Sequence, residues 1–268
     1  MSKRFNWGTK ILGLVAVASL SLGLATPARA AIVNGGFEDF PDFNGWVTVG
    51  NTTIQGTDFH ATVEGSLQAL LSTTGTGGGT PLNAAALETF VGLSAGQLST
   101  AHNATNGSAI CQMFTATEGQ TLTVHFDFLT NEPKLIIREE LLAGAAVTSN
   151  NDFGFLTLKK DSDATSLQIL ADTNSTMVPT NPLDGANSFA LRETNYLTYS
   201  TTLSAGTYKL CLGVANAGDT LNASGLLADA ISVTGGSTVP LPAAVLVAPL
   251  GIAVAGVFGK RLRRAQIA

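Results

Sequence analysis

Apolar and polar residues alternate with a period of two in several stretches between residues 46 and 233. The clearest are residues 121–128 and 207–214, where every second side chain is apolar, as in strands with one buried face. Their inward positions are Leu122, Val124, Phe126 and Phe128, and Tyr208, Leu210, Leu212 and Val214. Further strands are predicted at 46–49, 66–71, 153–158, 166–170, 197–203 and 228–233. Short turns rich in Gly, Asn and Ser separate several of them, so the pattern predicts an all-β sandwich of jelly-roll type.

Residues 73–107 interrupt this pattern. Residues 73–80 form a low-complexity stretch of Gly and Thr, and residues 83–93 have helical periodicity with Leu87 and Val91 on one face. Asn83 is the predicted N-cap, because its side chain can accept a hydrogen bond from a backbone N–H of the first turn. We therefore predict a short helical insertion that lies against one edge of the sandwich.

The first of two long apolar runs lies near the N-terminus, at residues 11–24, after a basic start. It leads to Ala28-Arg29-Ala30, an A-x-A site. This order predicts a secretory signal peptide over residues 1–30, cleaved between Ala30 and Ala31. An uncleaved anchor is the alternative. The sandwich domain then covers residues 31–237.

The second apolar run, residues 241–258, carries no charged side chain. As a helix it would be roughly 27 Å long, close to the thickness of a bilayer's hydrocarbon core. A basic cluster follows at once and would hold the cytoplasmic end of a membrane span: Lys260, Arg261, Arg263 and Arg264. We predict a transmembrane helix over 241–258, with a buried core helix as the alternative.

The C-terminal segment, residues 238–268, resembles the PEP-CTERM sorting signal of bacterial surface proteins. Its short extended motif is Val239-Pro240-Leu241-Pro242, with Leu241 where the namesake motif has Glu. The resemblance implies processing by an exosortase-like membrane protease. It also implies an exported chain, anchored in the inner membrane before processing and then placed at the cell surface or outside the cell.

The sandwich domain is strongly acidic. The chain has a net charge of −5, but all 19 of its acidic residues and only six of its 14 basic residues lie between residues 31 and 237, which gives this part −13. Nucleic-acid binding needs a basic surface and is therefore excluded. Divalent cations are compatible with such a surface.

Two cysteines, Cys111 and Cys211, lie in separate strand-like runs. Export would permit a disulfide between them, and two buried free thiols in neighbouring strands are the alternative.

The start of the domain, Asn34 to Asp39 followed by Gly45-Trp46, resembles the opening of jelly rolls of the carbohydrate-binding-module type. Residues 225–233 resemble their closing strand. The resemblance implies a structural calcium ion bound by Glu38 and Asp229, since calcium prefers several hard oxygen ligands. Carboxylates at solvated strand ends are the alternative.

A second resemblance, to ectodomains that occur with PEP-CTERM tails, lies in residues 126–132 (FDFLTNE) and 151–156 (NDFGFL). Most proteins of that kind have no assigned biochemical role. Four polar residues at the ends of these stretches either converge on a cation or form turns: Asn131, Glu132, Asn151 and Asp152.

The sequence lacks the usual enzyme motifs. It has no H-E-x-x-H and no P-loop. Its one G-x-S-x-G string, residues 92–96, lies at the end of the predicted helix, whereas the hydrolase motif joins a strand to a following helix. His60, His102 and His125 are isolated along the chain.

These observations favour an exported, non-enzymatic cell-surface protein in a setting of extracellular polysaccharide. A carbohydrate-binding module is the alternative; it needs exposed aromatic rings, for which Trp46, Tyr196 and Tyr199 are the candidates. A weaker alternative is a matrix-polysaccharide hydrolase with two facing carboxylates, for which the adjacent pair Glu139-Glu140 is one nomination.

Overall fold

Antiparallel strands are the main elements of the computed structural model, which describes residues 32–41, 43–75, 78–133 and 150–236. The strands are β1 (Val47–Val49), β2 (Asn51–Gly56), β3 (Leu67–Ser72), β4 (Leu82–Asn83), β5 (Ala104–Ala116), β6 (Gln120–Thr130), β7 (Phe153–Lys160), β8 (Ser166–Asp172), β9 (Val178–Pro179), β10 (Arg192–Glu193), β11 (Leu197–Leu203), β12 (Gly206–Ala217) and β13 (Ser224–Gly235). The helices are α1 (Ala84–Val91) and α2 (Ala186–Phe189).

The strands form two sheets with interleaved connections. The first sheet has the order β1–β5–β12–β7–β8, and the second has the order β2–β3–β13–β6–β10–β9. In addition, β4 pairs with β5 and β11 pairs with β6. The late strands β12 and β13 each lie between two early ones, which is the connectivity of a jelly roll. The predicted all-β sandwich is thus confirmed.

The main core lies between the two sheets. All eight residues that the alternation of β6 and β12 predicts to point inward belong to one buried cluster. The alternate residues of the same strands point outward, and several of them, among them Asp127 and Cys211, are buried by elements that cover the outer faces. Period-two patterning therefore correctly predicted the inner face, and the covered outer faces were not expected.

The helical insertion covers the outer face of the first sheet. Helix α1 begins after Asn83, whose side-chain oxygen accepts the Ala86 N–H at 2.9 Å, as predicted. Leu87 and Val91 pack on the outward side chains of β5, β7 and β12. The predicted position at a sheet edge was therefore wrong: the outward residues are apolar and need a cover. The end of the predicted insertion, residues 104–107, is already part of β5.

Cys111 and Cys211 form a disulfide beneath this cover. They are directly opposite each other in the neighbouring strands β5 and β12, with their Cα atoms 4.1 Å apart. Both side chains are buried. The register of the two strands therefore brings the cysteines together.

The opening motif, residues 34–39, forms turns and bends and not a strand. Phe37 is fully buried and its ring lies 5.6 Å from that of Trp46, so the motif closes one end of the core. Gly35 packs directly on β13, where a Cβ would lie 2.0 Å from the Ile231 carbonyl oxygen. The Ile231 N–H donates to the Gly35 carbonyl at a bulge in β13. The first and last segments thus meet, as the resemblance implied.

Several predictions concern residues outside those that the structure describes. They are the signal peptide at 1–30 with its cleavage site Ala30/Ala31, the segment 238–268 with its motif and basic tail, and the Glu139-Glu140 pair. Within the described ranges, no helix has the length and apolar character needed to cross a membrane.

Candidate functional site

Glu38 and Asp229 hold the same loop, residues 62–67, by hydrogen bonds. The Oε1 atom of Glu38 accepts the N–H groups of Ser66 and Leu67 at 2.7 and 2.8 Å. The Oδ2 atom of Asp229 accepts the N–H groups of Val63 and Glu64 at 2.7 and 3.0 Å. The two carboxylates therefore anchor both halves of the loop between β2 and β3.

The two carboxyl groups differ in burial. Hydrogen bonds from the N–H groups of Leu67 and Ser66 lower the pKa of the exposed Glu38. Asp229 is fully buried, and burial raises its pKa although three backbone N–H donors act to lower it. The alternative of a solvated carboxylate at a strand end therefore does not hold for Asp229.

All four of these carboxylate oxygens accept N–H or O–H groups. A calcium ion would have to replace some of these donors, because it binds oxygen lone pairs. The calcium site stays a prediction.

Asp152 is the centre of a buried hydrogen-bond network at one end of the sandwich. Its oxygens accept the Ser224 hydroxyl at 2.6 Å and the Ala217 N–H at 2.8 Å. Ser224 in turn contacts the Thr130 hydroxyl at 2.7 Å. Burial raises the pKa of Asp152 to about 7, the two hydrogen bonds oppose the rise, and the carboxylates of Glu132 and Asp219 add to it.

The four residues that the sequence offered as either a cation site or turns do not converge on one point. Asn131 bonds to the backbone of Phe189 and Leu191, and Asn151 bonds to Asp172 and Asn174. These contacts are those of turn-forming and loop-pinning side chains.

An open cavity of about 440 Å³ lies beside this network, at the β8 edge of the first sheet. Its lining includes Thr100, His102, Asn103, Asn151, Phe153 and Asp172. The His102 and Phe153 rings lie 5.3 Å apart, and the Asn151 amide donates to Asp172 at 3.0 Å. The cavity thus combines ring surfaces with amide and carboxylate groups.

Glu88 positions one wall of this cavity. Its buried carboxylate accepts the N–H groups of Gly96, Leu98 and Ser99, and the Ser99 hydroxyl, and so fixes the chain just before Thr100. Burial acts to raise the pKa of Glu88, but these donors lower it overall.

The candidate aromatic residues for sugar stacking do not form an exposed platform. Trp46 is in the core, and its indole N–H donates to the Asn34 carbonyl at 3.2 Å. Tyr196 is part-buried with its hydroxyl bonded to Gln68, and Tyr199 packs against the core. These three rings complete the packing of the sandwich instead.

The second sheet carries a buried cluster on its outer face that the sequence did not indicate. The Nε2 atom of His60 lies 2.9 Å from Glu193 Oε2 and 3.6 Å from Asp127 Oδ2. Burial raises the pKa of both carboxyl groups. Within the described ranges, these three residues form a group whose side chains could together hold a metal ion.

The sequence separation of these residues explains why they were missed. His60 and Glu193 are 133 positions apart, so no local sequence motif links them. One signal for the cluster was present in the sequence. Asp127 is an acidic residue between Phe126 and Phe128, and alternation assigns it to the outer face of the sheet. Its partners are His60, in the loop after β2, and Glu193, in the two-residue strand β10, and alternation predicts the position of neither.

No protein-family model matches the sequence, and no curated protein is significantly similar to it. Several solved structures are similar in fold at low identity. The carbohydrate-binding module TmCBM61, solved with β-1,4-galactotriose, is 10% identical, with 77% of this chain and 98% of that chain covered and a TM-score of 0.39.

Two further solved structures have similar values. The K1 cleaved adhesin domain of Lys-gingipain from Porphyromonas gingivalis W83 is 12% identical, covering 75% of this chain and 96% of that one, with a TM-score of 0.37. A xylan-binding domain of family 22 is 13% identical, covering 80% and 100%, with a TM-score of 0.30. Because the identities and TM-scores are this low, the similarities support no conclusion about what this chain binds.

Proposed function

We propose that this chain is an exported, non-enzymatic cell-surface protein that binds extracellular polysaccharide. The cavity at the β8 edge carries the binding part of the proposal. Its volume of about 440 Å³ is of the size that accommodates small ligands.

The lining of the cavity suits a saccharide. A sugar hydroxyl both donates and accepts hydrogen bonds, and the amides of Asn103 and Asn151 beside the Asp172 carboxylate offer both functions. The exposed ring of His102, supported by Phe153, offers an apolar surface for the C–H face of a sugar ring.

The disulfide supports the export part of the proposal. Disulfides persist in oxidising compartments and are rare in the cytosol, and Cys111 and Cys211 lie opposite each other in adjacent strands. Delivery would depend on residues 1–30 and on the PEP-CTERM-like segment 238–268. An exosortase-like protease would release the chain from the inner membrane for transfer to the surface or the medium.

Binding to extracellular polysaccharide from the host tests the proposal, with affinity electrophoresis and a glycan array as readouts. We expect His102→Ala to weaken binding by roughly three- to tenfold, because it removes one ring surface. His125→Ala is the matched control, since this half-buried histidine lies on β6 of the second sheet. A wild-type protein that binds no glycan, or a His102→Ala variant that binds as tightly as the wild type, would contradict the proposal.

A further inference from the structure

We propose that His60, Asp127 and Glu193 bind one divalent transition-metal ion of the Zn²⁺ type. One nitrogen and two carboxylate oxygens, all within 4.8 Å of one another, face a common point. Tetrahedral zinc with ligand bonds near 2.1 Å holds its ligand atoms about 3.4 Å apart. The observed separations of 2.9 and 3.6 Å from His60 Nε2 bracket that value.

An unsatisfied oxygen of Asp127 is the first independent sign of a ligand. Asp127 is fully buried, and its Oδ2 atom, which faces His60, has no hydrogen-bond partner. Its other oxygen accepts the N–H and the hydroxyl of Thr194 at 3.0 and 2.9 Å. These two bonds orient the carboxylate so that Oδ2 points into the cluster. Buried polar atoms without partners are rare and unfavourable, and a metal ion at this point would satisfy the oxygen.

The hydrogen bonding of His60 is the second sign. Its Nδ1 atom lies 3.0 Å from the Ala61 carbonyl oxygen, which can only accept, so Nδ1 carries the proton. In a neutral ring this leaves the lone pair on Nε2, the atom directed at both carboxylates. Metal-binding histidines typically donate their other N–H to a carbonyl or carboxylate in this way.

Charge balance favours a cation at this position. Two carboxylates and a neutral imidazole place two negative charges in a buried site, and a divalent ion would neutralise them. An imidazolium would leave one negative charge, a less favourable arrangement where burial penalises charge.

The Gln68 amide holds the His60 loop in place, because it donates a hydrogen bond to the His60 carbonyl oxygen at 2.6 Å.

The donor set selects the class of metal. An imidazole nitrogen with two carboxylates suits zinc and its neighbours, whereas calcium takes six to eight oxygen ligands. All three side chains are buried, so the ion would be structural. It would join the loop after β2 to β6 and β10, and hold the segment that packs on the outer face of the second sheet.

The test uses the full-length protein in mild detergent, with its disulfide intact. The protein is unfolded in denaturant with a chelator and refolded with one equivalent of Zn²⁺, Co²⁺ or Ca²⁺. Metal content after desalting, the visible absorption of the Co²⁺ form and the thermal midpoint are measured. We expect one Zn²⁺ or Co²⁺ per chain, a d–d absorption band, and a rise of several degrees in the midpoint over the chelated protein.

Two isosteric variants and one control locate the ion. Glu193→Gln and His60→Gln should each weaken Zn²⁺ binding at least 100-fold, and the second covers the case in which the first does not fold. Asp152→Asn, which changes another buried carboxyl group, should keep one Zn²⁺ per chain. A wild type that retains neither Zn²⁺ nor Co²⁺, or two folded variants that bind Zn²⁺ like the wild type, would overturn the proposal. So would a retained Ca²⁺ in place of Zn²⁺ that is lost in Glu38→Gln.

Discussion

Asp152 is a buried acid whose protonation should be visible in the stability of the protein. Burial raises its pKa from 3.8 to about 7. Between about pH 4 and 7 the folded state therefore holds a proton that the unfolded state releases, and the free energy of unfolding falls as pH rises, by up to about 1.4 kcal/mol per pH unit. We expect Asp152→Asn to show a shallower fall over this window, measured by denaturant unfolding at several pH values.

The comparison with the wild type isolates this residue, because Asp127, Glu193 and Asp229 also have raised pKa values and are present in both proteins. Equal slopes for Asp152→Asn and the wild type would contradict the prediction.

Composition and spacing gave no sign that Asp152 is buried. The sequence offered Asp152 as a turn or cation residue at the start of a strand, and only the packing of β12 and β13 around it makes it a buried acid.

At the scale of elements, Glu88 attaches helix α1 to the loop that follows it. Its carboxylate is buried and accepts four hydrogen bonds from residues 96–99. Glu88→Gln keeps the shape but replaces one acceptor oxygen by an amide donor facing N–H groups. We expect a loss of about 1–3 kcal/mol in the free energy of unfolding at pH 7, measured by chemical denaturation.

The matched control is Glu118→Gln, an exposed acid with a single bond to the Ala205 N–H. Its stability should stay within about 0.5 kcal/mol of the wild type. The pKa of Glu88 is lowered in the folded state, so its contribution is present above the unfolded pKa and lost as pH falls. A Glu88→Gln variant as stable as Glu118→Gln would show that the carboxylate is dispensable.

The elements that the sequence predicted share a clear physical signal. Every second residue of β6 and β12 points into the core, and in β11 the partly buried or buried residues alternate with exposed ones from Thr198 to Leu203, so alternation locates these three strands. β2 was missed because Asn51–Gly56 has a single large apolar side chain, Ile54, and is only partly buried beyond Asn51. The two-residue strands β4, β9 and β10 exist through their pairing partners, which a local pattern does not contain.

For the whole molecule, the sorting prediction concerns the mass of the mature chain. If residues 1–30 are removed and an exosortase-like protease acts near the Val-Pro-Leu-Pro motif, protein from its own host should begin at Ala31 and end before Leu241. Intact-mass spectrometry measures both ends. The double variant Pro240→Ala/Pro242→Ala should keep the C-terminal segment, whereas Pro249→Ala, within the apolar run, should be processed.

A mature chain that still carries residues 241–268 would contradict the processing step and leave an anchored domain.

The sandwich and its jelly-roll type were predicted from strand patterning and from the resemblance of the two ends of the domain to known jelly rolls. The cavity and the His60 cluster were not, because each brings together residues from distant parts of the chain, several of them in loops.

The position of β13 gives the protein a mechanical property. This strand is the last one within the described residues, and it lies between β3 and β6 and pairs with both. Tension applied through a C-terminal tether would load those two rows of hydrogen bonds together, in shear, which is a stronger arrangement than peeling one row at a time. If β13 did detach, the next strand to be pulled would be β12, and its covalent link to β5 would stop the extension there. Under the proposed function, a domain built this way would keep a bound polysaccharide under drag without unravelling.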